Sequence, residues 1–258
     1  MIYGWLFLLG LTVGSFLNVV IFRLRFGDSP FRGRSYCDHC HKKIPWYDNI
    51  PLLSFVLLGG KCRNCQKKIS AAYPAIEFLV GLEFVWVYWL LTTNFNFFGQ
   101  VEGFYSLGLL AYWLILFSGL IAMAVYDLKY MIIPDEILWP VTLVAFLRLF
   151  FSHQWQVVPA GLVSSAFLGA LYLITRGRGM GLGDVKLAFL MGLVLGWPLV
   201  ALAYFVAFLT GAAAGVILII TGKKKLKSKI AFGPFLILGT IIAKLWGLNI
   251  IKWYIGFL

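Results

Sequence analysis

Eight runs of apolar residues, at roughly 2–22, 75–93, 106–126, 137–151, 159–175, 185–200, 201–220 and 231–250, leave this chain few ways to fold. Most approach the ~20 residues that carry a helix across a hydrocarbon core; the fourth, fifth and sixth are short. In lipid every backbone amide needs a partner within its own segment, so such runs close as α-helices. The sequence therefore predicts an all-α, polytopic membrane protein with about eight transmembrane helices. Composition agrees, with 61% of residues hydrophobic and only 12% charged, against ~25% charged in a soluble domain. The first run follows Met1 with no basic stretch before it and no small-residue cleavage site after it. It is read as a retained helix and not as a signal peptide.

The net charge of +12 would suit a nucleic-acid binder, but the placement of the charges argues otherwise. Ten Lys and Arg lie between Arg23 and Lys68. Lys129 follows Asp127, Arg176, Arg178 and Lys186 flank Asp184, and Lys223, Lys224, Lys225, Lys227 and Lys229 fill the last loop. In an eight-span arrangement all but Arg148, Lys244 and Lys252 then fall on one side, and the opposite loops 94–105 and 152–158 contain none. The positive-inside rule puts the basic loops in the cytoplasm and both termini outside. The basic balance is thus mostly topology, with attraction to the anionic lipid bilayer secondary. No nucleic-acid partner is expected.

The loop 23–74 is the only long one, so the expected organisation is a first helix at 1–22, a cytoplasmic loop domain at 23–74 and a transmembrane bundle at 75–258. Pro30, Gly33, Pro45, Pro51, Gly59 and Gly60 divide the loop into turns. Ile50 to Leu58 is too short to span and is expected to pack inside the loop domain or lie on the membrane surface. No internal repeat and no low-complexity tract is expected, and Lys223 to Lys229 reads as a solvated stop.

All four cysteines lie in this loop, as Cys37-Asp-His-Cys40 and Cys62-Arg-Asn-Cys65, with 21 residues between the pairs. A Cys-x-x-Cys knuckle turns two thiolates to one point, and two knuckles supply a closed tetrahedral zinc shell. Disulfides are the alternative, which a reducing cytoplasm disfavours. With Cys37, Cys40, Cys62 and Cys65 as ligands, His39 and His41 are not needed. The zinc is structural, stabilising a loop too small and polar to build its own core.

Two aspartates carry the chemistry. Asp127 and Asp184 each lie where an apolar run meets a short basic loop, on the same predicted side, and a carboxylate there is expensive. If they meet, like charges a few ångströms apart cannot both ionise, and a pair sharing one proton can activate water for peptide hydrolysis. The glycines at 179, 181 and 183 resemble a phosphate cradle, but no strand precedes them and no Lys-Ser or Lys-Thr follows. They are read as letting the backbone unwind before Asp184. Asp135 and Glu136, after Pro134, read as dipole compensation at a helix start. At least one of Glu77 and Glu83 should face protein or water; a structural and a ligand-binding role stand level for both. Gly14, Ser15 and Asn18 form a small, polar packing face, and His153 is surface.

End to end, the chain resembles the type IV prepilin peptidases, also called prepilin leader peptidase/N-methyltransferases. The resemblance rests on Gly14-Ser-Phe-Leu-Asn18-Val-Val with Arg23, the paired knuckles, and Trp46-Tyr-Asp48-Asn49-Ile-Pro51-Leu-Leu-Ser54. It also includes Gly59-Gly-Lys-Cys62, Ile69-Ser with Tyr73-Pro74 and Glu77, Asp127-Leu-Lys-Tyr-Met-Ile-Ile-Pro134-Asp135, Gly181-Leu-Gly183-Asp184-Val-Lys186-Leu, and Phe232-Gly-Pro234-Phe. The Gly-x-Gly-Asp element is shared with presenilin-like proteases, whereas the cysteine loop is specific to this family. The resemblance implies an aspartic endopeptidase of the bacterial inner membrane, active site facing the cytoplasm, with Asp127 and Asp184 as its catalytic pair. Its substrates would be type IV prepilins or pseudopilins of competence and type II secretion. It would cut a short basic leader after glycine and then N-methylate the new N-terminus, usually phenylalanine, with S-adenosylmethionine. No motif specifies the methyl-donor pocket; Glu77, where the loop enters the membrane, is the candidate residue. The other readings are a broader-specificity Gly-x-Gly-Asp intramembrane protease, and a proton-coupled transporter with a zinc-stabilised loop.

Overall fold

The computed structural model describes residues 1–93, 104–177, 179–222 and 230–256, with backbone alone at 104–106. Arg178, Lys223, Lys224, Lys225, Lys227, Lys229 and nearly all of the 94–105 loop, which entered the charge pattern, lie outside the described residues. Regular structure in the described residues is helical, and strand pairing is limited to two isolated bridges, Tyr36 with Lys43 and Lys61 with Lys68. The helices are α1 (Ile2–Phe26), α2 (Leu53–Leu57), α3 (Ala72–Thr93), α4 (Phe104–Tyr130), α5 (Asp135–Ser152), α6 (Val158–Ile174), α7 (Leu182–Leu195), α8 (Leu199–Ile220) and α9 (Gly233–Ile255).

Helices form at all eight expected positions, and among the described residues six are long and apolar enough to cross a membrane. These are α1, α3, the Leu107–Tyr130 part of α4, Trp155–Ile174, α8 and α9. The other two fall short for separate reasons. α5 carries Asp135, Glu136 and Arg148 within its 18 residues. α7 has 14 residues, roughly 21 Å at 1.5 Å per residue, less than the ~30 Å hydrocarbon core.

The chain divides into two compact units, Met1–Ser118 and Gly119–Leu258. In the first, α1 lies along α3 at backbone distance. A Cβ at Gly10 would fall 2.7 Å from the Val80 carbonyl oxygen, and one at Gly14 would fall 2.7 Å from the Glu77 Cα. Glycine is therefore required there by proximity, as at other small-residue helix contacts in lipid. Asn18, one turn beyond Gly14, donates its side-chain amide to the Tyr73 carbonyl at 3.0 Å. The buried Arg23 guanidinium gathers the start of the loop, donating to the carbonyls of Ser29 at 3.1 Å, Arg34 at 3.1 Å and Arg32. Glu83 is buried and accepts the Ser118 hydroxyl at 2.9 Å.

In the second unit α6 runs along α7 and α8 along α9, while α7 also touches α5 and α9. α7 is the buried centre, with Leu187, Ala188, Leu190 and Met191 almost fully enclosed. A helix enclosed this way needs no polar face, which is why its sequence reads as a short apolar run without periodicity. The Ser164 and Tyr204 hydroxyls bond each other between α6 and α8.

Candidate active site and metal centre

Asp127 sits in the last turn of α4 and Asp184 in the first turn of α7; they are 5% and 8% exposed. Each carboxylate is placed at a helix N-terminus. Asp127 Oδ2 accepts the amide N–H of Gly233, the first residue of α9, at 2.9 Å. Asp184 Oδ2 reaches back to the amide of Gly181, which precedes α7, at 3.0 Å, forming the acidic half of a capping box. First-turn amides have no intrahelical acceptor, and the positive end of the helix dipole favours a carboxylate.

The two segments converge on Ile133. A Cβ at Gly233 would lie 2.7 Å from Asp127 Oδ2 and 3.2 Å from Ile133 Cδ1, and a Cβ at Gly183 would lie 3.0 Å from Ile133 Cβ. The two carboxylates are close enough to interact electrostatically. Each commits one oxygen to an amide. Two details differ from expectation. Gly179 and Gly181 lie in non-helical backbone ahead of α7, as expected, whereas Gly183 is inside α7 and serves close packing on Ile133. Asp135 does more than compensate a dipole, because Lys186 Nζ grips both its carboxylate oxygens at 2.8 and 2.7 Å, tying the segment after Asp127 to α7. Glu136, beside it, is exposed.

In the loop, the Sγ atoms of Cys37, Cys40, Cys62 and Cys65 lie within 4.8 Å of one another, forming a cluster that could hold a metal ion. None is in a disulfide, and Cys37 and Cys65 sulfurs are 3.8 Å apart. A tetrahedral shell with Zn–S near ~2.3 Å separates its sulfurs by roughly 3.8 Å. The chain also contains a short repeat, contrary to expectation: residues 37–44 and 62–69 share Cys-x-x-Cys-x-Lys-Lys-Ile. Both copies fold alike. The Cys37 amide bonds the Lys42 carbonyl at 3.0 Å and the Cys62 amide that of Lys67 at 2.9 Å, while His41 and Gln66 occupy matching positive-φ positions. The Cys65 amide, helped by that of Asn64 and opposed by burial, holds the Cys62 thiol down to about 7. Burial pushes Cys37 up to about 11.

The knuckles, the end of α1 and the start of α3 enclose a cavity of about 410 Å³, lined among others by Asn18, Tyr36, Asp38, Asp48, Tyr73 and Glu77. The Tyr73 hydroxyl donates to Asp38 at 3.0 Å, joining the first knuckle to α3. Arg63 of the second knuckle holds Asp48 through Nε and Nη2 at 2.8 and 2.6 Å, and its guanidinium keeps that carboxyl below the usual range. Glu77 is half-buried at the membrane end, accepting the Leu52 amide at 2.9 Å. Tyr73, Asp38 and Arg63 were not picked out as site residues from the sequence. Their common signal is position, since each lies beside a cysteine or where α3 begins. Ile50 to Leu58 contains the short α2 (Leu53–Leu57), with Leu53, Val56 and Leu57 exposed.

Family comparison accords with this division. Residues 8–91 match the bacterial peptidase A24 N-terminal domain and residues 114–216 the type IV leader peptidase family. Among curated proteins, a prepilin leader peptidase/N-methyltransferase of Aeromonas hydrophila is 34% identical, covering 98% of this chain and 93% of the relative. One of Bacillus subtilis is 34% identical over 97% of this chain and 96% of the relative. One of Pseudomonas aeruginosa is 32% identical over 97% and 92%. No solved structure matches. Because the likeness runs through the cysteine loop and both aspartate segments alike, the chain belongs to the type IV leader peptidase family.

Proposed function

We propose that this protein removes the basic leader of type IV prepilins or pseudopilins after a glycine, using Asp127 and Asp184 as an aspartyl dyad, and then N-methylates the exposed amine. The observation that carries the reading is the burial of both carboxylates together, each at a helix N-terminus, within the unit Gly119–Leu258. The relatives' names, prepilin leader peptidase/N-methyltransferase, support the two reactions.

The dyad carries one proton and titrates as a unit. The ionised carboxylate takes a proton from water, whose oxygen attacks the scissile carbonyl; the protonated carboxyl hydrogen-bonds the carbonyl oxygen. The tetrahedral intermediate collapses as the leaving amine is protonated, and the roles exchange. Gly233 and Gly181 amides hold one oxygen of each carboxylate and so orient the pair. Their closeness makes Gly233→Ala informative, because the new Cβ would lie 2.7 Å from Asp127 Oδ2. Leader removal should fall by about tenfold or more with the protein still folded. Wild-type turnover in Gly233→Ala would dissociate this contact from the chemistry.

The loop 23–74 is the proposed metal-stabilised domain, with Cys37, Cys40, Cys62 and Cys65 holding zinc and the basic loops facing the cytoplasm of the bacterial inner membrane. Zinc would supply a cross-link between the two knuckles. The cavity of about 410 Å³ is within the usual ~300–1,000 Å³ of small-molecule sites, and it is the proposed seat of S-adenosylmethionine, which supplies the methyl group. A large polar donor cannot enter lipid, and this is the one long loop able to enclose it. Glu77, at its membrane end, is the candidate binding residue. The test is purified protein with a prepilin that keeps its leader. Loss of the leader without added donor, and gain of one methyl only with it, is expected; an unaltered prepilin in both arms would refute the reading.

A further inference from the structure

Leu52 occupies a conformation that L-residues rarely adopt, with φ +59° and ψ −49°. Across it the Leu53 amide bonds the Pro51 carbonyl at 2.6 Å, which makes a γ-turn of the strained hand. Such a turn persists only where its surroundings hold it, and strain of this kind gathers at functional sites. Its holder is Glu77, whose Oε2 accepts the Leu52 amide at 2.9 Å. The loop is bent so as to fix one oxygen of this carboxylate at the membrane end of the cavity.

The donors that reach Glu77, the Leu52 amide and the Ser15 hydroxyl, are neutral. Of the three carboxylates lining the cavity, Asp38 takes the Tyr73 hydroxyl and Asp48 the Arg63 guanidinium. Among the described residues no cation is ion-paired with Glu77. Asn18 stands opposite, on the helix whose Gly14 abuts the Glu77 Cα. Its amide nitrogen must be the atom facing the Tyr73 carbonyl, because two carbonyl oxygens cannot bond each other. That leaves Asn18 Oδ1 without a partner in a residue only 5% exposed. A carboxylate and an unpaired carbonyl oxygen at one end of a cavity suit a small cationic donor.

We propose that this end receives the substrate's free α-amine, and that Glu77 is a catalytic residue of methyl transfer, holding the ammonium and taking its proton. The inference rests on the methyl-transfer reading above. An α-amine with a pKa near ~7.7–8.0 is mostly protonated at neutral pH and has no lone pair to offer. One N–H proton passes to a Glu77 carboxylate oxygen. The freed nitrogen lone pair forms the new N–C bond to the sulfonium methyl as the C–S bond breaks, its electron pair staying on sulfur. The product leaves as a methylated ammonium, and the Glu77 proton returns to water.

The test uses the full protein in detergent and a peptide copying the mature pilin N-terminus, with its amine free or acetylated. Wild type should bind the free-amine peptide about tenfold or more tightly than the acetylated one. Glu77→Gln, which keeps an oxygen for the Leu52 amide, should bind the two alike. Its methyl transfer should be slow at neutral pH and climb as the amine loses its proton unaided, whereas wild type levels off earlier. Glu77→Asp should regain part of the discrimination, and limited proteolysis of 23–74 checks that the loop is intact. Glu77→Gln discriminating like wild type, or a rate deficit equal at every pH, would overturn the proposal. Failure of wild type to methylate the free-amine peptide would instead overturn the methyl-transfer reading, and the proposal with it.

Discussion

Asp127→Asn and Asp184→Asn are each expected to abolish leader removal, by about 10³-fold or more, while the protein stays inserted and folded. Asparagine keeps the size of the side chain and one acceptor oxygen, so the Gly233 and Gly181 amides at 2.9 and 3.0 Å can still be satisfied. What is lost is the ability to take a proton from water. No substitute is expected from α5, whose Asp135 is exposed and already held by Lys186. The assay is the shift of a prepilin on a gel, beside a thermal unfolding control. Near-normal cleavage by either variant would remove the dyad mechanism.

The second large effect is at the cysteines. Freshly purified protein should carry one zinc per chain, and Cys37→Ser or Cys62→Ser should lose it. Metal binding in such modules is folding free energy, about 10–16 kcal/mol in zinc-finger peptides at neutral pH. The loop has little else to hold it, because its regular structure is one five-residue helix, one short 3₁₀ turn and two isolated bridges. Both variants should therefore open 23–74 to protease while the membrane helices stay resistant. Methyl transfer should fall steeply, since Cys37 and Cys62 line the cavity, and leader removal should persist in part. Well under one metal per chain, or an equally resistant loop, would count against the metal centre.

Much of this was legible in the chain because the signals are local. Apolar runs mark helices wherever they end up, and a Cys-x-x-Cys knuckle is complete within four residues. The aspartates stood out because a carboxylate beside an apolar run is costly wherever it lies. Hidden from the sequence were features that depend on distant backbone. The Gly233 amide meets Asp127 across 106 positions, and no periodicity carries that information. The same holds for Lys186 with Asp135 and for Glu77 with Leu52. Apolar runs alone do not tell a crossing from a buried helix, because enclosure by protein, like lipid, removes the need for a polar face, as in the 14-residue α7. The Cys-x-x-Cys-x-Lys-Lys-Ile repeat was visible but is only eight residues long, below the length at which helical repeats declare themselves.

Hydrolysis is proposed at the dyad and methyl transfer at the cysteine-loop cavity. The most direct measurement supplies already cleaved pilin and labelled S-adenosylmethionine to Asp127→Asn, with wild type and Glu77→Gln alongside. Label should enter the pilin with Asp127→Asn as it does with wild type, and should be largely lost with Glu77→Gln. If Asp127→Asn transfers no methyl group to cleaved pilin while remaining folded, the two reactions share one site and the account is contradicted.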